Sequence, residues 1–91
     1  MSSRFFLLKP CRTTPAFIST LKRSQRLDLN AAKVKLETAG FAVQDVQVML
    51  IVAATPEATL YESGKVLVKT DDAEAARVQV ERLYEVLGIA G

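Results

Sequence analysis

Between Glu57 and Gly91 the chain reads EATLYESGKVLVKT and then DDAEAARVQVERLYEVLG, a β-hairpin that feeds straight into an amphipathic helix. Sorting side chains onto two faces decides the hairpin's register. A two-residue loop at Ser63-Gly64 pairs Tyr61 with Val66 and leaves Glu62 and Lys65 on the same face as Leu60. A three-residue loop, Glu62-Ser63-Gly64, with glycine taking the positive φ of a bulge, pairs Tyr61 with Lys65, Leu60 with Val66 and Ala58 with Val68. The second register separates the faces and is the one expected. Ala58, Leu60, Val66 and Val68 then form an apolar face; Glu57, Thr59, Tyr61, Lys65, Leu67 and Lys69 form the other, with Glu57 opposite Lys69 as a favourable cross-strand pair.

The helix after the hairpin is written with its own start and stop signals. Asp71 is expected as N-cap with Glu74 three residues on, and Asp72 adds a second carboxylate where the helix dipole favours one. Ala73, Ala76, Val80, Leu83 and Leu87 recur at helical spacing, and Arg77 with Glu81 makes an i,i+4 pair on the outer side. Gly88 stands where a C′ glycine belongs, with Ile89 placed to fold back on the last turn.

Upstream, Arg4 to Lys9 (RFFLLK) reads as a first strand ended by Pro10. Thr14 before Pro15 is a helix start signal, and Phe17, Ile18 and Leu21 give the following segment one apolar side, so a short helix is expected there. Asp28 caps a second helical stretch in which Leu29, Ala32, Leu36 and Ala39 share a face, until Gly40 stops it. Whether residues 15–39 form two helices or one bent helix stays open. Phe41 to Val46 reads as a short strand and Val46 to Ala54 (VQVMLIVAA) as a long one, apolar on both faces and therefore expected to be covered on both. The element order β-α-β-β-β-α gives one α+β domain over residues 1–91, an antiparallel sheet of four or five strands with helices on one face.

Ninety-one residues, 49% of them hydrophobic, suffice for a single small core. The apolar run in MSSRFFLLKP is too short for a signal peptide, and no run reaches the roughly 20 residues that span a bilayer. One cysteine, Cys11, and no histidine exclude an internal disulfide and most zinc or haem sites, and point to a reducing, cytoplasmic setting. Charge is uneven: residues 1–39 hold eight Lys or Arg against Asp28 and Glu37, and the remainder holds four basic and eight acidic residues. A basic half of this kind is a solvated surface or a phosphate contact, for which Lys22, Arg23 and Arg26 are the candidates.

The hairpin LYESGKVLVKT followed by an Ala-rich helix with an acidic start resembles one repeat of the TATA-box-binding protein family, and is similar to the amino-terminal domain of certain bacterial ribonucleases H. Leu60, Tyr61, Ser63, Gly64, Lys65, Val66 and Val68 fall in step with the repeat's hairpin, and the likeness runs over about residues 57–88. The resemblance implies the same fold, with Tyr61 at the position of an aromatic that wedges between base pairs and Lys65, Leu67 and Lys69 on the same sheet face. That family carries two repeats per chain, so a saddle built from this chain takes a homodimer.

No residue set has the chemistry of a catalytic site. Ser63-Gly64-Lys65 lacks the rest of a phosphate loop and is accounted for by the turn. Without histidine, Cys11 has no Cys-His partner, and helix capping accounts for Asp71-Asp72. Neither enzyme activity nor a cofactor is expected. The functional expectation rests on a sheet face showing Met49, Ile51, Leu67 and the ring of Tyr61, rimmed by Lys65 and Lys69; such a patch marks an interface. The expected partner is a second copy or another protein, not a membrane, with nucleic acid bound through the same face and the basic half as the alternative.

Overall fold

The computed structural model describes residues 6–11, 14–22 and 26–89. Their order is β1 (Phe6–Pro10), β2 (Phe17–Leu21), α1 (Leu29–Thr38), β3 (Ala42–Asp45), β4 (Met49–Ala53), β5 (Ala58–Tyr61), β6 (Val66–Val68) and α2 (Ala73–Leu87). The strands form one open sheet in the order β1-β2-β6-β5-β4-β3, every neighbour antiparallel. After the β1–β2 hairpin, α1 carries the chain to the far edge of the sheet. The meander β3 to β6 then returns until β6 meets β2. Helix α1 lies against β3 and β4, and α2 against β6 and β2.

The expected α+β class holds, with six strands rather than four or five and with β-β-α-β-β-β-β-α as the order. The extra strand is β2, where a helix was expected. Phe17, Ile18 and Leu21 do fit a helical stripe, but FISTL also holds β-branched Ile18 and Thr20, and here it pairs with β1 on one side and β6 on the other. Two ladders outweigh a single turn of weak helix, and Thr14-Pro15 forms only a bend. Among the described residues of 15–39 there are thus a strand and one helix. The first strand begins at Phe6 among the described residues; Arg4 lies outside them.

The hairpin has the three-residue loop: Ala58 pairs with Val68 and Leu60 with Val66, and Tyr61 N–H donates to the Lys65 carbonyl at 2.8 Å. Gly64 has φ +90°. The long strand expected from Val46 begins instead at Met49, because a turn interrupts the run: the Asp45 carboxylate accepts from Gln47 N–H at 2.8 Å, and Gln47 has φ +74°.

Both helices are capped by a side chain. Asp28 accepts from the N–H groups of Asn30 and Ala31. In α2 the cap is Asp72, which accepts from Glu74 and Ala75, and not Asp71. Thr70 Oγ1 accepts from Asp72 N–H at 3.1 Å and sets the entry one residue later than the Asp71–Glu74 spacing suggests. At the other end Gly88 is left-handed, Ile89 N–H donates to the Tyr84 carbonyl at 2.9 Å, and the Lys35 ammonium donates to the Leu87 carbonyl at 3.3 Å.

The core lies between the helices and one sheet face. Leu50, Val52, Ala58, Leu60, Val66 and Val68 meet Leu36 of α1 and Ala76, Val80, Leu83 and Tyr84 of α2, all fully buried. Ala73, expected on the apolar stripe, is exposed, while Gln79 and Tyr84 are buried beside it. Gln79 Nε2 donates to the Pro56 carbonyl at 2.9 Å, which makes its burial tolerable. Tyr84 does more: its hydroxyl donates to the Gly64 carbonyl at 2.7 Å, bonds Ser19 Oγ at 2.8 Å, and its ring stands edge-on to Phe6 at 5.2 Å. One side chain thereby ties α2 to β1, β2 and the hairpin loop.

Burial pushes the Tyr84 phenol up to about 12, against a smaller opposing effect of the Ser19 hydrogen bond. A raised phenol pKa favours the neutral form in the folded state, so its stabilisation is complete below about pH 10, the ordinary phenol value, and is lost as pH climbs towards 12. Chemical unfolding across that range is expected to show a fall on the order of 2 kcal/mol from this group. Tyr84→Phe removes that component, and at neutral pH costs about 1–3 kcal/mol because Ser19 and the Gly64 carbonyl lose a buried partner.

Candidate functional site

With both helices on one side, alternation sends every other strand residue to the open face. Across its middle runs an unbroken row with each residue directly opposite the next: Lys9, Ile18, Leu67, Thr59, Ile51 and Gln44. On one side of that row Lys65 faces Tyr61, and Tyr61 faces Met49. On the other, Lys69 N–H donates to the Glu57 carbonyl at 2.9 Å, and their side chains form an ion pair at 3.4 Å. All six residues expected on this face, Met49, Ile51, Tyr61, Lys65, Leu67 and Lys69, are brought together there.

Of the Val46–Ala54 run, expected to be covered on both faces, the helices cover the Leu50 and Val52 side, while Met49 and Ile51 on the other side are half-buried. Met49, Ile51, Tyr61, Leu67 and Ile18 remain half-buried, and Leu7 at the β1 edge is 47% exposed. Thr59, at the centre of the row, is only 6% exposed because these side chains close over it. The Lys65 ammonium lies 5.8 Å from the centroid of the Tyr61 ring. Ile18, Leu7 and Lys9 were missing from the expected set. Ile18 lies in the segment expected to be helical; the signal that finds it is the strand propensity of FISTL, which places it opposite Leu67.

Two of the three expected phosphate contacts lie among the described residues. Lys22 is exposed beyond β2, Arg23 lies outside the described residues, and Arg26 pairs with Glu62 at 3.2 Å. Arg26 and Glu62 border a depression shared with Asp28, Asn30, Asp45 and Gln47. Its carboxylates are engaged, Asp28 with the start of α1, Asp45 with the Gln47 turn and Glu62 with Arg26. Among the described residues no cluster of three or more His, Cys, Asp or Glu is arranged to hold a metal ion. Cys11 is half-buried and accepts from Thr14 Oγ1 at 3.4 Å. No helix among the described residues is long and apolar enough to cross a membrane.

Compared with models of protein families, with curated proteins and with solved structures, the chain matches none.

Proposed function

We propose that this chain is a non-catalytic protein-interaction module that works through the open face of its sheet. The observation that carries the reading is the central row: four of its six members, Ile18, Leu67, Thr59 and Ile51, make a contiguous, largely apolar strip across four strands, with lysines toward the rim. Apolar area grouped in this way is what protein partners bury, and scattered surface leucines do not produce it. The resemblance of residues 57–88 to the TATA-binding-protein repeat points to the same face, but through Tyr61 as a base-pair wedge, and so belongs with the nucleic-acid alternative.

Nucleic acid is the alternative occupant of this surface, and one observation weighs against it. The Lys65 ammonium stands 5.8 Å from the centroid of the Tyr61 ring, near the outer limit of a cation–π contact, so a base stacking on that side of the ring would displace it. Light-scattering mass with and without mixed DNA and RNA oligonucleotides, at low and moderate salt, separates the two. The expected result is association that ignores oligonucleotides and changes little with salt. A monomer that gains mass with oligonucleotides and loses it as salt rises would replace this reading with nucleic-acid binding.

A further inference from the structure

We infer that the occupant of the open face is a second copy of the same chain, related by a two-fold axis that runs along the strands between β5 and β6. The inference rests on reading that face as a protein-docking surface, and adds the partner and its orientation. Its basis is the strand order together with the register.

Three strands lie on each side of the β5–β6 boundary. A two-fold axis along that boundary stacks β6 on the partner's β5, β2 on its β4 and β1 on its β3. An isologous interface requires a self-complementary surface, and the registered rows meet that requirement. In the central row Leu67 falls on the partner's Thr59, Ile18 on its Ile51 and Lys9 on its Gln44. In the row on one side, Lys69 falls on the partner's Glu57. In the row on the other, Lys65 falls on the partner's Tyr61. Each cation therefore meets a carboxylate, an aromatic ring or an amide, and the branched aliphatic residues meet near the centre.

The other in-plane two-fold, across the strands, stacks each strand on itself in reverse. It sets Lys65 on the partner's Lys69 twice over and turns Glu57 towards the partner's Tyr61. Like charges juxtaposed at an interface are strongly unfavourable, so of these two axes charge favours the one along the strands. Packed this way, two sheets keep their strand directions within about 30° of each other, about 10 Å apart, the ordinary geometry of a sandwich. Six strands at ~4.8 Å and about five residues at ~3.3 Å give a footprint of roughly 29 by 17 Å per copy. The pair covers roughly 1,000 Å², at the threshold of a specific interface, which predicts a dimer that dissociates on dilution.

Reciprocal charge reversal tests this directly by sedimentation velocity over a dilution series. Glu57→Lys alone sets Lys69 against the partner's new lysine at two places, and Lys69→Glu alone sets two glutamates against each other. Each variant is expected to dimerise about tenfold or more weaker than the original chain. An equimolar mixture restores both contacts between unlike chains and is expected to recover dimerisation to within a few-fold. Circular dichroism melts of each variant, unchanged within a few degrees, exclude unfolding as the cause. A mixture no stronger than its components overturns the axis, and an original chain that stays monomeric at millimolar concentration overturns the second copy. Leu67→Glu separates the underlying reading: if that variant dimerises as well as the original chain, the open face is not the docking surface at all.

Discussion

Replacing Gly64 with alanine is expected to destabilise the fold by about 2–4 kcal/mol, a fall in Tm of roughly 10–25 °C. Two independent costs add. The backbone at Gly64 has φ +90°, a conformation that L side chains adopt only with strain of about 1 kcal/mol or more. A Cβ built there would clash with Leu21 Cδ1. Leu21 is itself part of the core at 9% exposure, so it has little room to yield. Movement of the loop also disturbs the Gly64 carbonyl that accepts from Tyr84, which carries the damage to α2. Differential scanning calorimetry of Gly64→Ala measures the sum; a loss under about 1 kcal/mol would mean that the loop swings clear of β2 at little cost.

Leu60→Ala is expected to cost about 2–5 kcal/mol, and Leu67→Ala, on the adjacent strand, about 1 kcal/mol or less. Leu60 is fully buried between Leu50 and Val66 in the ladder and beneath the helices, so its truncation leaves a cavity that a rigid sheet cannot collapse. Leu67 is half-exposed on the opposite face, where lost methyl groups are replaced by water. The contrast between two leucines tests the sidedness of the sheet by urea unfolding. Equal costs would mean that the open face is packed against something as closely as the core is.

What the sequence made legible was the part governed by local rules. The 62–64 loop could be read because only one register keeps Lys65 and Glu62 off the Leu60 face, and that register fixes the place of Tyr61, Lys65, Leu67 and Lys69. Helix α2 could be read from its stripe and its terminal glycine, with the cap displaced from Asp71 to Asp72 by the Thr70 hydroxyl. Non-local pairing accounts for what was missed. Phe17–Leu21 fits a helix and a strand about equally well in isolation, and becomes a strand because β1 and β6 offer ladders that lie far away in the sequence. That single change extended the sheet to six strands and removed Ile18 from the candidate face until the ladder restored it. The Gln47 turn was hidden inside a run of apolar residues. Tyr84 sits on the buried side of α2 as a polar anchor, and its partners Ser19 and Gly64 lie 65 and 20 residues away.

Under the proposed function the open sheet face, and no other surface, carries the interaction. Concentration-dependent light scattering of the original chain beside Leu67→Glu and Val34→Glu tests it most directly. Val34 is 63% exposed on α1, on the helical side of the molecule. A charge there probes the exposed surface of α1. The original chain and Val34→Glu are expected to associate alike with rising concentration, while Leu67→Glu stays monomeric. Association lost in Val34→Glu and kept in Leu67→Glu would contradict it and move the interaction to the helices.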